Sequence, residues 1–256
     1  MVLPDSSAGA MSHTRTLRVE LKVLDRALVV EDHVPIGQVR PDELLPFMYH
    51  ADNVVIGAAI AKSEAEGKHI SCAKGCSACC RAQPVPVTPA EAHAIARLVD
   101  AMPEPRRAEV QARFDDRVAR LKAAGLFDVM IRDTPVRDKE QARAVAREYV
   151  ALGLVCPFLD DDACSIHPHR PFVCRQYLVT SPPELCSNPL ANPVEVVPIP
   201  VKAATAMLSA AEPVAGRPQL TVPLVVALEY NARHRSELER TGDTELILRR
   251  WLAELA

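Results

Sequence analysis

Residues 72–80 read C-A-K-G-C-S-A-C-C, and residues 156–175 read C-P-F-L-D-D-D-A-C-S-I-H-P-H-R-P-F-V-C-R. These two stretches, with Cys186 shortly after the second, hold all eight cysteines of the chain and decide how it is organised. The region 156–193 is rich in proline and turn residues and carries no sustained apolar period. Packing alone gives such a segment little to build on, so bonds to a bound ligand would have to order it. Cysteine thiolates are soft, negatively charged donors, and at these short spacings they select zinc, iron–sulfur clusters or copper(I).

The rest of the chain is ordinary enough to fold without such help. Its 256 residues are 48% hydrophobic and 25% charged, a globular composition with enough apolar surface for a real core. The net charge of −3 and the 4% aromatic content argue against a basic nucleic-acid surface or a base-stacking platform. The first residues lack the basic stretch and apolar run of a secretory leader. No uncharged apolar stretch reaches ~18 residues, so no membrane span is expected. A cytoplasmic, reducing environment follows as an expectation, and there eight cysteines read as ligands rather than disulfides.

Outside the cysteine blocks the periodicity is mainly helical. Leu17, Val19, Leu21 and Val23 alternate with Arg18, Glu20 and Lys22, which predicts a strand, and Asp25-Arg26 can turn it into a second. Residues 1–15 are expected as a disordered extension, 16–36 as a β-hairpin, and 37–256 as one helical domain containing the cysteine segments 72–80 and 156–186. A helix is predicted over 41–67. Thr88-Pro89-Ala90-Glu91 forms a capping box with proline at the first helical position. A helix with Val110, Phe114, Val118 and Leu121 on one face should stop at Gly125. Another should run over 139–152 with Ala142, Val145, Ala146 and Tyr149 inward. A short strand is expected at 194–197, with further helices near 201–212, 222–240 and 243–255. The fold class is therefore mainly α, with a small N-terminal β-hairpin and irregular cysteine-rich loops around a metal centre.

Within the first block, Cys76-x-x-Cys79 is a bite suited to one ion or one cluster edge. Cys72 lies one helical turn earlier, and Cys80 adjoins Cys79, so both neighbours reach metal only in a polynuclear site or by serving different metals. Gly75 frees the backbone at the turn; Lys74 and Arg81 offset thiolate charge. The gaps between Cys156, Cys164, Cys174 and Cys186 are longer, which suits ligands delivered from loops and makes Cys186 the most peripheral. His167 and His169 are read as solvated or as neighbours of the ligands, Asp160–Asp162 as a solvated turn, and Arg170 and Arg175 as possible donors to sulfur or carboxylate. The spacing Cys72-x3-Cys76-x2-Cys79 also occurs in radical S-adenosylmethionine enzymes. No repeated βα units follow, however, and Cys80 would crowd the iron position that must stay open. No phosphate-binding loop, G-x-S-x-G elbow or H-E-x-x-H motif is present.

The order of the two blocks, C-x3-C-x2-C-C and then C-P-F-L with C-S-I-H-P-H-R-P-x-x-C-R, resembles the YkgJ-type cysteine-cluster family over about residues 72–186. That resemblance implies chelation of zinc or iron by Cys72, Cys76, Cys79, Cys80, Cys156, Cys164, Cys174 and Cys186. His167 departs from it, since the family often has tyrosine there. Flagellin lysine methylases contain a similar block. The expected function is a metal-binding protein whose cysteines hold an iron–sulfur cluster or zinc, with a structural, sensing or metal-handling role. The alternative is a cluster-containing enzyme such as a protein methyltransferase related to those methylases. A four-cysteine zinc site usually presents two close pairs, and only one exists here, so iron is favoured over zinc.

Overall fold

A computed structural model describes residues 13–132, 134 and 138–255. The expected N-terminal extension therefore lies, up to residue 12, outside the described residues. From there the chain enters an antiparallel hairpin of β1 (Thr14–Val23) and β2 (Arg26–Pro35). Thr14 stands opposite Pro35, and Val23 opposite Arg26. The connecting Leu24 and Asp25 both have positive φ, 53° and 58°. A two-residue turn of that hand matches the right-handed twist of the strands, at the cost of holding a leucine where one is seldom found. Leu21, Val23, Val30 and Val34 point inward, while Arg18, Glu20 and Lys22 remain exposed.

Ten helices follow among the described residues, and the mainly helical fold expected from periodicity is the fold found. They are α1 (Leu45–Ala65), α2 (Ala78–Ala82), α3 (Pro89–Asp100), α4 (Arg106–Ala123), α5 (Phe127–Ile131), α6 (Lys139–Leu152), α7 (Phe172–Gln176), α8 (Ala203–Ala215), α9 (Ala227–Leu238) and α10 (Thr244–Ala253). The short pairs β3 (Gln38–Val39) with β8 (Gly242–Asp243), β4 (Pro86–Val87) with β7 (Val222–Pro223), and β5 (Leu159–Asp160) with β6 (Ala163–Cys164) tie distant segments together. The strand expected over 194–197 reduces to one bridge between Val179 and Val196. Val196 is 51% exposed, so that stretch has no second strand face to bury. Three short helices, α2, α5 and α7, carry no period long enough to be recognised in the sequence.

The apolar side chains gather in two cores. The first holds the hairpin, α1, Phe172 of α7, α8 and α10, with Trp251 fully buried in it and stacked against Phe172. The second holds the inward faces of α3 and α4, α5, Tyr149 of α6, Phe158, Ile166 and the segment from Val222 into α9. Helix α3 joins them: Ala90 lies in the first core, and Ala92, Ile95 and Val99 lie in the second.

Helix α1 and the turn before it, Pro41–Ala65, are long and apolar enough by length and composition to cross a membrane, and the most apolar stretch is 56% buried within the protein. Its one buried charge within that stretch, Asp52, is 1% exposed and accepts a hydrogen bond from Gln176 of α7. The chain thus places a carboxyl group inside its long apolar helix α1 and gives it a partner beside Cys174.

Candidate metal centre

Two cysteine segments 75 residues apart in sequence become neighbours through a set of specific bonds. The Cys156 amide donates to the Cys80 carbonyl at 2.7 Å. The Ser71 amide donates to the Val179 carbonyl at 2.9 Å, and the Val179 amide returns to the Cys72 sulfur at 3.4 Å. Ser71 Oγ donates to the Ser181 carbonyl at 2.7 Å, and Gln83 Nε2 to the Cys186 carbonyl at 3.3 Å. Asp162 binds both Ser77 Oγ, at 2.6 Å, and the Arg81 guanidinium. Arg81, expected to offset thiolate charge, is thus committed to a carboxylate of the second segment.

The cysteine segments are less irregular than their composition suggests, because one-turn elements present five of the eight thiols. Cys79 and Cys80 ride on α2, Cys164 on β6, Cys174 on α7, and Cys186 on the 3-10 turn Pro183–Ser187. Between β5 and β6, Asp161 and Asp162 have φ of 43° and 60°. The aspartate run is therefore a left-handed hairpin turn, a conformation Asp tolerates better than most residues. Only its middle residue is left as a simple solvated turn: Asp160 is paired with Arg106 and Arg113, as Asp162 is with Arg81.

Helix α4 holds the second segment with a row of arginines. Arg113 donates to the carbonyls of Pro157 (3.1 Å) and Leu159 (3.3 Å) and to Asp160 (2.7 Å). Arg117 donates to Val155 O at 3.0 Å, Arg120 to Leu152 O, and Arg106 to Asp160 and Ser165 Oγ. Arginines at positions 106, 113, 117 and 120 fall near one helix face. That spacing was visible in the sequence; the carbonyls they grip were not. Burial works against ionisation of Asp160, yet the hydrogen bonds and charges of Arg113 and Arg106 outweigh it and hold that carboxyl below its usual range.

On the other side, α7 is fastened to the first core by buried polar groups that periodicity could not reveal. Glu91, fully buried, closes the capping box of α3 with Thr88 and also accepts from the Phe172 amide (2.7 Å) and the Tyr49 hydroxyl (3.3 Å). Arg175 lies over the Tyr49 ring, 4.2 Å from its centre, and donates to the Pro168 and Arg170 carbonyls and to Asn53. It therefore shapes the loop before Cys174 rather than binding sulfur. His167 and His169 are exposed, and the positive charge of Arg170, followed by burial, lowers the pKa of His167.

All eight cysteines are free thiols; Cys186 is buried and the other seven half-buried. Burial pushes the Cys156 thiol up to about 12, with the negative charges of Cys164 and Cys79 adding to the rise. Burial likewise raises Cys174, and Cys156, Cys79 and Cys164 add to it. Cys72, Cys164 and Cys186 are raised first by burial, and Cys79 adds to each. Cys79 itself is raised most by its hydrogen bond with the Cys80 thiol and then by burial. Cys79 is thus the common electrostatic neighbour of five thiols drawn from both segments. Arg170 acts in the opposite sense on Cys72 and Cys164, and Arg117 on Cys156. The Tyr177 hydroxyl hydrogen-bonds Cys186 and lowers its pKa against the effect of burial. Cys186, placed last by sequence spacing, therefore sits on the packed side of α2, because the turn that carries it lies against that helix. A long gap in sequence does not make a loose residue in space.

A crowd of thiols that raise one another's pKa is a donor set suited to a cation, since each thiolate formed near the others is costly without positive charge. Among the described residues, no three His, Cys, Asp or Glu side chains stand close enough together to hold a single ion. The thiols share one electrostatic field without forming a closed coordination shell.

Residues 71–190 match the CxxCxxCC family, described as a "putative zinc- or iron-chelating domain". The matched stretch spans both cysteine segments and helices α2 to α7, and it agrees with the family expected from the motif order. No curated protein and no solved structure matches the chain.

Proposed function

We propose that this chelating domain is the working part of the protein. In this reading Cys72, Cys76, Cys79, Cys80, Cys156, Cys164, Cys174 and Cys186 together hold an iron–sulfur cluster or an iron centre, with zinc as the alternative occupant. The observation that carries it is that backbone bonds from Cys156 to Cys80 and from Val179 to the Cys72 sulfur bring the two cysteine segments, with all eight free thiols, side by side. Eight thiols on two adjoining segments exceed the four that a single tetrahedral ion uses, and this favours a polynuclear centre. Bound metal would supply the positive charge that lets these thiols ionise together. The chain's own residues do the rest. Arg113 and Arg117 hold the backbone that carries Cys156, Arg175 and Glu91 hold the turn that carries Cys174, and Tyr177 donates to Cys186. The role would be structural, sensing or metal handling, in a reducing cytoplasmic compartment where free thiols persist.

Anaerobic purification followed by metal and acid-labile sulfide analysis tests this. Brown protein with broad visible absorption and iron and sulfide in comparable amounts is expected. Colourless protein with stoichiometric zinc would replace the iron reading by the zinc one. Protein with neither metal, even after anaerobic loading, would overturn the proposal.

A further inference from the structure

Strand β1 is hydrogen-bonded to β2 and to no other strand among the described residues. β2 lies against α1 and the 3-10 turn Pro41–Leu44, so β1 is the outer strand. Its far edge presents the backbone N–H and C=O groups of every second residue along a ten-residue strand, which is a template for another strand. Its inward-facing row is also incompletely covered: Leu21 and Val23 are buried, but Leu17 and Val19 remain half-exposed. Beside the start of β1 a cleft of about 430 Å³ opens toward α10, lined by Leu17, Leu248 and Leu252 with Arg15, Glu245 and Arg249.

We infer that this edge pairs with β1 of a second copy of the chain, antiparallel about a two-fold axis at Val19, so that two hairpins form one four-stranded sheet. Charge decides the register. With Val19 opposite its counterpart, Arg18 faces Glu20 and Glu20 faces Arg18, while Leu17 faces Leu21 on the apolar side and Thr16 faces Lys22. Shifting the axis to residue 18 sets Arg18 against itself. Shifting it to residue 20 sets Glu20 against itself and Arg18 against Lys22. An odd shift places the polar row of one strand on the apolar row of the other. One register near the strand's middle therefore pairs the charged residues and the central apolar ones, with exposed Arg15 falling opposite Val23 at the strand ends, and it is self-complementary, as a two-fold interface requires. The second strand also runs along the mouth of the cleft and extends the cover over Leu17 and Val19.

Sedimentation or light scattering on the full metal-loaded chain across the micromolar range tests the pairing. A species of twice the 27.9 kDa chain mass is expected. Arg18→Glu puts two carboxylates opposite each other at both symmetric positions, and Glu20→Arg does the same with two guanidinium groups. Each should raise the dissociation constant about tenfold or more. An equimolar mixture of the two variants should associate again, because every facing pair is then of opposite sign. Arg18→Glu also loses the exposed cross-strand pair with Glu31, which Glu20→Arg keeps; circular dichroism and metal content should be unchanged in both variants, which separates this result from any failure of the metal-centre reading. A wild-type chain that stays monomeric, whether or not a strand of some other protein occupies the edge, would overturn the inference. So would single variants that dimerise as the wild type does, or folded variants whose mixture fails to associate.

Discussion

Replacing Asp52 by asparagine should change the pH dependence of stability in a predictable direction. Asp52 is 1% exposed, its Oδ2 has no hydrogen-bond partner, and its Oδ1 accepts from Gln176 at 2.7 Å. Burial raises its pKa from 3.8 to about 7, against the lowering effects of Gln176 and Arg175 and with a further small rise from Glu91. The folded state therefore binds this proton more tightly than the unfolded state. Stability that is full below pH ~4 is lost as pH rises and levels off above pH ~7, at about 1.4 kcal/mol per pH unit and about 4 kcal/mol in total. Asparagine cannot ionise, so the variant lacks this loss. It does bury an amide N–H₂ near the place of Oδ2, which costs about 1–3 kcal/mol at every pH. Denaturant unfolding of both proteins between about pH 5.5 and 8 covers roughly half of the titration, so their difference should move by about 2 kcal/mol in favour of the variant as pH rises. Glu91 and the thiols titrate in both proteins and largely cancel. A difference that stays flat across that window would show that Asp52 is ionised throughout in the folded protein, and the reasoning from its burial would fail.

Arg113→Ala removes two carbonyl partners and one ion pair from the Cys156 loop. A loss of about 1–3 kcal/mol in stability is expected, with bound metal falling more than it does for a surface arginine such as Arg249, read by competition with a chelator. Cys79→Ser should deplete metal most among the single cysteine variants, because Cys79 neighbours thiols of both segments and serine is a poor ligand for soft metals. Cys186→Ser should also deplete it measurably, and unchanged metal in that variant would return Cys186 to the periphery. Stripping the metal should abolish hydrogen-exchange protection over 70–82 and 156–190 while α3, α4 and α6 keep much of theirs, since structural metal binding is comparable in size to the net stability of a domain, about 10 kcal/mol; equal protection in both states would contradict this.

Much of this fold could be read from local pattern. The alternation from Leu17 to Val23 marks β1, and the Thr88-to-Glu91 box caps α3 with the bonds it implies. Gly125 and Gly153 close α4 and α6 at positive φ, 70° and 56°. What escaped was non-local. Thr88 and Glu91 predict a helix start, but nothing in them says that the same Glu91 carboxylate also receives the Phe172 amide from 81 residues away. Nothing in the sequence ties the arginines of α4 to the carbonyls of 152–159 that they grip. For the site, spacing singled out the thiols, but it carried no sign of their burial: Cys186 looked remote in the chain and is the one buried cysteine. Arg170 and Arg175 were singled out as a pair and divide into different tasks, one charge near the thiols and one brace for a loop.

The joint between the two cores has a mechanical consequence. Phe172 and Val173, beside Cys174, belong to the first core, whereas Cys156 and Cys164 pack on the second. Any species that draws these sulfurs together pulls on both halves of the molecule at once, as a rivet does through two plates. Loss or oxidation of that species would slacken the joint while leaving each plate intact.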